Sequence, residues 1–189
     1  QKIAHLSLYH FTENSSAEFE KAARQILTLN VQGIILDLRG NPGGFVDSAV
    51  AIADWFLPAN SLVVIQDAGN GQKDEARTLG NNKLGVYKTV VLIDQGSASA
   101  SEILAGALRD NKGIKLVGQK SFGKGSVQQL ERLKGGSSLK VTVAKWLTPS
   151  GHSIMEEGLE PDIKVELTKD DLDNGTDPQL EKALELFKK

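Results

Sequence analysis

Apolar positions along the chain fall into two patterns, short continuous runs and longer stretches in which they recur every three to four residues. The run Gly33-Ile-Ile-Leu-Asp37 is apolar at consecutive positions, as expected of a strand buried on both faces of a parallel sheet. Leu62–Gln66, Thr89–Asp94 and Ile114–Val117 repeat that pattern, and Ile3–Tyr9 reads as a further strand ahead of them. Helical stretches lie between. Phe19, Ala22, Ala23, Ile26 and Leu27 share one face behind a capping-box start at Ser15-Ser-Ala-Glu18. Ser48–Leu57 is helical up to Pro58, and Ser99–Arg109 carries Ile103, Leu104, Ala107 and Leu108 on one side. Near the end, Asp177-Pro178 supplies an N-cap and an N1 proline to a helix presenting Leu180, Ala183, Leu184 and Phe187.

Repeated strand, helix, strand order predicts an α/β fold with a mainly parallel sheet flanked by helices. Leu130–Leu147, with Gly135-Gly136 in its middle, has the form of an added antiparallel hairpin. The polar, Gly- and Asn-rich stretch Asp67–Asn82 reads as a surface loop, long enough to serve as a mobile lid. Nothing resembling a linker, repeat or low-complexity tract divides residues 1–189, which are expected to form one domain.

Composition narrows the functional classes. The 189 residues are 40% hydrophobic and 24% charged, enough for one core of ordinary size. Lys and Arg number 22 against 24 Asp and Glu, so no global basic field exists to hold nucleic acid or an anionic membrane. The absence of cysteine removes thiol catalysis, disulfides and thiolate metal sites. His5, His10 and His152 remain, none beside an obvious acid in sequence, and no metal site is expected. No apolar run approaches the roughly 20 residues of a membrane span. The chain opens at Gln1 without a signal-peptide pattern, as expected of a piece excised from a longer protein.

Three segments carry candidate chemistry. Gly118-Gln-Lys-Ser-Phe-Gly-Lys124 matches the start of a phosphate-binding loop, but Gly125 stands where a magnesium-ligating Ser or Thr belongs and Gly135-Gly136 cut short any following helix. No nucleotide is expected. Gly96-Ser-Ala-Ser-Ala-Ser-Glu102 lies between a buried strand and a helix. Ser99 there is either the first residue of a capping box or a nucleophile at the positive helix end, with the next amide facing a developing oxyanion. Asp37-Leu-Arg-Gly-Asn-Pro-Gly-Gly-Phe45 is either a turn that needs glycine or a nest of amides for the same oxyanion. The base for such a serine would be a histidine or Lys124. A lysine serves only if burial lowers its pKa from about 10.4 toward 7 or 8, and Lys124, with Phe122, Gly123 and Gly125 around it, is the lysine best placed to turn inward.

Taken together, these residues resemble a known family. Gly96 to Asn111 and Leu116 to Gln128 are similar to the core of the carboxyl-terminal processing peptidases, the tail-specific serine proteases. Leu36-Asp-Leu-Arg-Gly-Asn-Pro-Gly-Gly44, Leu147-Thr-Pro-Ser-Gly-His-Ser-Ile154 and Glu157-Gly-Leu-Glu-Pro-Asp162 resemble its other signature segments, in the family's order. The resemblance runs from Ile3 to Val165. It implies a crotonase/Clp-protease-like core and a Ser-Lys dyad, with Ser99 as nucleophile, Lys124 as base and Gln128 orienting the lysine. It also implies an oxyanion hole from the amides of Ala100 and the Gly43-Gly44 turn, Gly43 in particular. The expected activity is a serine endopeptidase acting through an acyl-enzyme on unfolded or C-terminal segments of proteins, with no metal or cofactor. The alternative is a catalytically silent peptide-binding scaffold of the same fold. Protein or peptide substrates are the expected partners, with no nucleic acid or nucleotide; the oligomeric state is not read from the sequence. The family's usual PDZ domain is expected to be absent or removed, since no segment of its length precedes Ile3 or interrupts the core. Residence in the periplasm or cell envelope is expected from the same resemblance.

Overall fold

The computed structural model describes residues 2–188. Five parallel strands form the main sheet: β1 (Ile3–Ser7), β2 (Gly33–Asp37), β5 (Lys88–Ile93), β6 (Lys115–Gly118) and β9 (Ile163–Lys164), in the order β1-β2-β5-β6-β9. A second, antiparallel sheet has the order β4-β3-β8-β7, from β3 (Leu62–Asp67), β4 (Lys73–Arg77), β7 (Ser126–Arg132) and β8 (Ser138–Leu147). The helices are α1 (Ser15–Thr28), α2 (Val46–Ala53), α3 (Ala100–Lys112), α4 (Lys169–Asp173) and α5 (Pro178–Glu185).

The continuous apolar strands are explained by two cores, one on each face of the parallel sheet. Ile34, Leu36, Val91, Ile93 and Leu116 face α1, α2 and α3, meeting Phe19, Ile26, Ile52, Ile103 and Leu104. Ile35, Val90, Leu92 and Val117, the intervening positions, face α5 through Ala183 and Phe187. Alternate side chains of a strand leave on opposite faces, so a strand covered on both sides must be apolar throughout. The second sheet closes the larger core through Val63, Val64 and the half-buried Trp146.

Three expectations from the sequence change. Asp67–Asn82 is not a loop or lid: it contains β4, the outer strand of the second sheet, paired to β3 and lying at the edge opposite β7. Its tail is tied down as well, since Asp54 accepts the Gly80 N–H at 2.5 Å and the Asn81 N–H at 3.2 Å. The sequence Lys-Asp-Glu-Ala-Arg lacks apolar alternation because an edge strand with charged side chains needs none and resists further pairing. Second, Ser15 does not cap α1 in the expected way; its hydroxyl donates to the His10 carbonyl at 2.9 Å and accepts the Thr12 N–H. Third, α2 starts at Val46 and ends at Ala53, with Trp55, Phe56 and Leu57 continuing in tight turns that bury their side chains. The hairpin expected over Leu130–Leu147 is present and begins four residues earlier, at Ser126.

Helix α5 lies beyond the stretch of family resemblance yet packs on the face of the sheet formed by Ile35, Val90, Leu92 and Val117. Phe187 is 7% exposed. Phe187→Ala is expected to cost about 3 kcal/mol and to lower Tm by about 6–12 °C. A thermal melt followed by circular dichroism checks this, and an unchanged Tm would mean that α5 is not docked in solution.

Candidate active site

Three loops leave the carboxyl ends of adjacent parallel strands: 38–45 after β2, 94–99 after β5 and 119–125 after β6. Ligand sites of open α/β sheets form at such strand ends. Buried polar groups tie the loops to one another. Asp94 Oδ1 accepts the N–H groups of Gly40 at 2.8 Å and Gly96 at 2.9 Å. The Asn41 carbonyl accepts the Ala98 N–H at 3.0 Å and the Ser101 hydroxyl at 2.9 Å, and Ser97 donates its hydroxyl to the Leu38 carbonyl at 2.8 Å. The third loop joins through the Phe122 N–H, which donates to the Ser97 carbonyl at 3.0 Å.

Ser99 stands at the junction of loop and helix α3, with φ 55° and ψ −114°. A non-glycine residue at positive φ costs on the order of 1–3 kcal/mol and persists only where its surroundings enforce it. Glu102 does so here. Although 1% exposed, its carboxylate accepts four donors: the Ser99 N–H (2.8 Å) and Lys124 N–H (3.0 Å) on Oε2, and the Ser121 hydroxyl (2.6 Å) and Gly123 N–H (2.7 Å) on Oε1. The capping box read from Ser99-Ala-Ser-Glu102 exists in outline, but only its carboxylate half is tight; the Ser99 hydroxyl takes no cap hydrogen bond of normal length. Glu102 therefore fastens the serine's backbone to the lysine's. Burial pushes its pKa up, against the downward pull of the hydrogen bonds from Ser121, Gly123, Ser99 and Lys124.

Gly43 packs directly against the serine. A Cβ there would lie 2.6 Å from the Ala98 carbonyl oxygen, 2.8 Å from Ser99 Cβ and 3.0 Å from the Ala100 nitrogen, and its φ is +96°, so only glycine fits. The amide of Ala100, at the first turn of α3, has no partner among the described residues. The Gly43 amide is already engaged, donating to Asn41 Oδ1 at 2.9 Å, whereas the Gly44 amide has no partner among the described residues.

Lys124 reaches this neighbourhood by its backbone. Its side chain is exposed and forms no hydrogen bond or ion pair among the described residues, Ser99 included. The expected burial is absent because the loop runs along the rim, with Phe122 66% exposed; residues 154–158 pack on Gly123 and Gly125 and leave the Lys124 side chain exposed. Gln128 is exposed on β7 opposite Thr142 and makes no side-chain bond to Lys124. The chain after Lys124 enters a strand, not a helix, which removes the phosphate-loop geometry.

The histidines differ from expectation, since two have carboxylate neighbours: His5 Nε2 lies 3.0 Å from Asp37 Oδ2, and His152 Nδ1 lies 3.6 Å from Glu157. Neither hydrogen-bonds to Ser99. Glu102, Asn41 and Asp94 are the residues of the site that sequence reasoning passed over. The Ser-x-x-Glu spacing was the one visible sign of Glu102, and it reads equally as a plain cap.

Comparison with known proteins bears on what these loops do. Residues 2–165 match the model of peptidase family S41. The chain is 39% identical to a carboxyl-terminal-processing protease of Synechocystis sp., over 99% of this chain and 44% of that protein. It is 38% identical to the carboxy-terminal processing protease CtpB of Bacillus subtilis, over 86% of this chain and 34% of that one. Among solved structures, a photosystem II D1 C-terminal processing protease superposes with a TM-score of 0.83 at 34% identity, covering 88% of this chain and 43% of the other. The tricorn protease shares the fold, with a TM-score of 0.71 at 20% identity. The chain thus spans less than half the length of these relatives.

Glu102→Gln tests the junction. Each of the three backbone N–H groups can only donate, so an amide NH2 placed on either side meets donors head-on. The loss of hydrogen bonds to a buried charge costs about 2–4 kcal/mol, a fall of about 4–16 °C in Tm. The pH dependence gives a second reading. Because the folded-state pKa of Glu102 is raised, its contribution to stability is complete below the unfolded value of about 4.3 and is lost as pH rises through the folded value. Tm measured from pH 4 to 8 should lose that component in Glu102→Gln; identical curves would show that the carboxylate is not under strain.

Proposed function

The chain belongs to peptidase family S41, and from that premise we propose that it is the core of a serine endopeptidase cleaving unfolded or C-terminal segments of proteins. The observation that carries this reading is Ser99 itself, held at positive φ at the start of α3, with an unpartnered Ala100 amide beside it and Gly43 packed against its Cβ. In the proposed reaction neutral Lys124 accepts the Ser99 proton as Oγ attacks the substrate carbonyl carbon. The tetrahedral oxyanion rests on the Ala100 N–H and on the Gly43-Gly44 turn. Gly43 joins only by releasing Asn41, whereas the Gly44 N–H needs no release. The Lys124 ammonium then protonates the leaving amine, and the lysine, neutral again, deprotonates the water that resolves the acyl-enzyme. Gln128 is assigned to orienting the lysine once substrate is bound.

The exposure of Lys124 gives the substrate a part to play. Strand β7 is the outer strand of its sheet and begins two residues after Lys124, so an extended peptide can add along its edge. Such a peptide covers the lysine and excludes water, which favours the neutral amine that the reaction needs. No metal or cofactor enters this scheme. Residence in the periplasm or cell envelope is proposed from membership of the family alone. Among the described residues no helix is long and apolar enough to cross a membrane.

A second reading, a silent peptide-binding scaffold, is favoured by the absence of a hydrogen bond between Ser99 and Lys124 among the described residues. The two readings separate under a fluorophosphonate probe, which labels Ser99 in a working enzyme and leaves a scaffold unmodified. Ser99→Ala is expected to abolish hydrolysis of an unstructured peptide while Tm stays within about 4 °C, because the serine's cap bond is loose. Lys124→Arg is expected to lose about 10²-fold or more in kcat/KM, since a guanidinium cannot give up its proton. Near wild-type activity in Lys124→Arg would remove the lysine as base.

A further inference from the structure

Behind the first loop, on the side away from Ser99, lies a network that the proposed reaction does not use. Arg39 stands two residues beyond the end of β2 and precedes Gly40, and its side chain is 14% exposed. All five of its N–H donors are occupied. Nε and Nη2 donate to the two oxygens of Asp37 at 2.9 and 2.7 Å, and Nη1 and Nη2 donate to the two oxygens of Asp177, both at 2.9 Å. Nη1 also donates to Gln179 Oε1 at 3.1 Å. Asp177 is the N-cap of α5 and accepts the Leu180 N–H at 2.9 Å. Gln179, fully buried, donates its Nε2 to the Val165 carbonyl at 2.9 Å, and the Val165 N–H in turn donates to the Gly118 carbonyl at 2.9 Å. The first turn of α5 is therefore bonded to the root of the loop that carries Gly43 and, through Val165, to the root of the loop that carries Lys124.

Helix α5 lies outside residues 2–165, the span of the family model, although the Synechocystis relative aligns over 99% of this chain. Docking alone does not require this arrangement. Ala183 and Phe187 already bury the helix against Ile35, Val90, Leu92 and Val117, and a charged network taken out of water contributes little net stability compared with apolar packing. Its distinct property is direction: a guanidinium held bidentately by two carboxylates leaves Arg39 one position. The turn that begins there is tight, with Asn41 N–H donating to the Leu38 carbonyl and Gly40 N–H held by Asp94.

We propose that Arg39 and Asp177 are positioning residues through which helix α5 holds the Gly40–Gly44 turn at the distance from Ser99 that the oxyanion requires. This deepens the peptidase reading and rests on it for its catalytic consequence, because a displacement of about 1 Å at a reacting centre can cost 10²-fold in rate. The geometric part stands apart from catalysis.

The test uses the whole chain with Asp177→Asn, Arg39→Lys and, as a control of comparable instability, Ile26→Val in α1 on the opposite face of the sheet. Asparagine caps a helix as well as aspartate does, so Asp177→Asn keeps α5 capped while losing one carboxylate oxygen to Arg39. Backbone amide exchange is measured at the hydrogen-bonded amides of Gly40, Asn41, Gly43 and Phe45 and along β5, together with the rate of fluorophosphonate labelling and with kcat and KM on an unstructured peptide. The expected result for both clasp variants is exchange at least 10-fold faster in the turn with β5 protected as in the control, labelling slowed at least 10-fold, and kcat reduced with KM within 3-fold, these being order-of-magnitude thresholds of about one decade. Turn protection equal to wild type, or a loss no greater than in Ile26→Val, overturns the proposal. If wild type neither labels nor cleaves, the peptidase reading fails, and the exchange arm still decides whether α5 holds the turn. Should Arg39→Lys fail to fold, Asp177→Asn decides.

Discussion

A buried carboxylate has to satisfy both its oxygens, and the way Glu102 does so organises the site. Its four donors come from Ser99 at the start of α3 and from Ser121, Gly123 and Lys124 in the loop after β6. Removing a charge from water is expensive unless every acceptor is filled. The two segments are consequently held in one relation to each other, and the positive φ of Ser99 is enforced from one side by the Glu102 bond and from the other by the Gly43 backbone. Ser121 extends the effect: its hydroxyl donates to Glu102 and accepts the Leu159 N–H at 2.7 Å, which fixes the following chain as well.

The parallel sheet makes that convergence available. Strands running the same way deliver their carboxyl ends to one edge, where the polar loops that follow them become neighbours despite wide separation in sequence. Polar groups at these ends then divide the work. Asp94 and Asn41 join the first two loops, Glu102 joins the second and third, and Arg39 anchors the first to α5. The apolar cores on both faces of the sheet hold the strands, and the buried hydrogen bonds set the loops.

Much of this was legible from residue pattern. Continuous apolar runs marked the central strands because burial on both faces leaves no polar position. Gly40, Gly43 and Gly44 marked a turn of special backbone, and all three do adopt positive φ. The Asp177-Pro178 start of α5 was equally plain. Failures occurred where local pattern is silent. Strand β4 has the composition of a loop because an edge strand with exposed faces is selected for charge, and the extent of the second sheet depends on pairings between distant segments such as Ile65 with Leu147.

For the site, the sequence by itself determined which side chains are available: three alternating serines at the start of a helix, one lysine between glycines, a glycine turn after a buried strand, no cysteine, and a match to peptidase family S41. Only the tertiary structure decided their relations. That Glu102 is a junction as well as a cap, that Lys124 stands in solvent, that Asn41 occupies the Gly43 amide and that Arg39 faces α5 all depend on residues from separate strands meeting at one sheet edge. Residue type sets what a group can donate, accept or ionise; the burial and partners that decide which of these it does are properties of the folded chain.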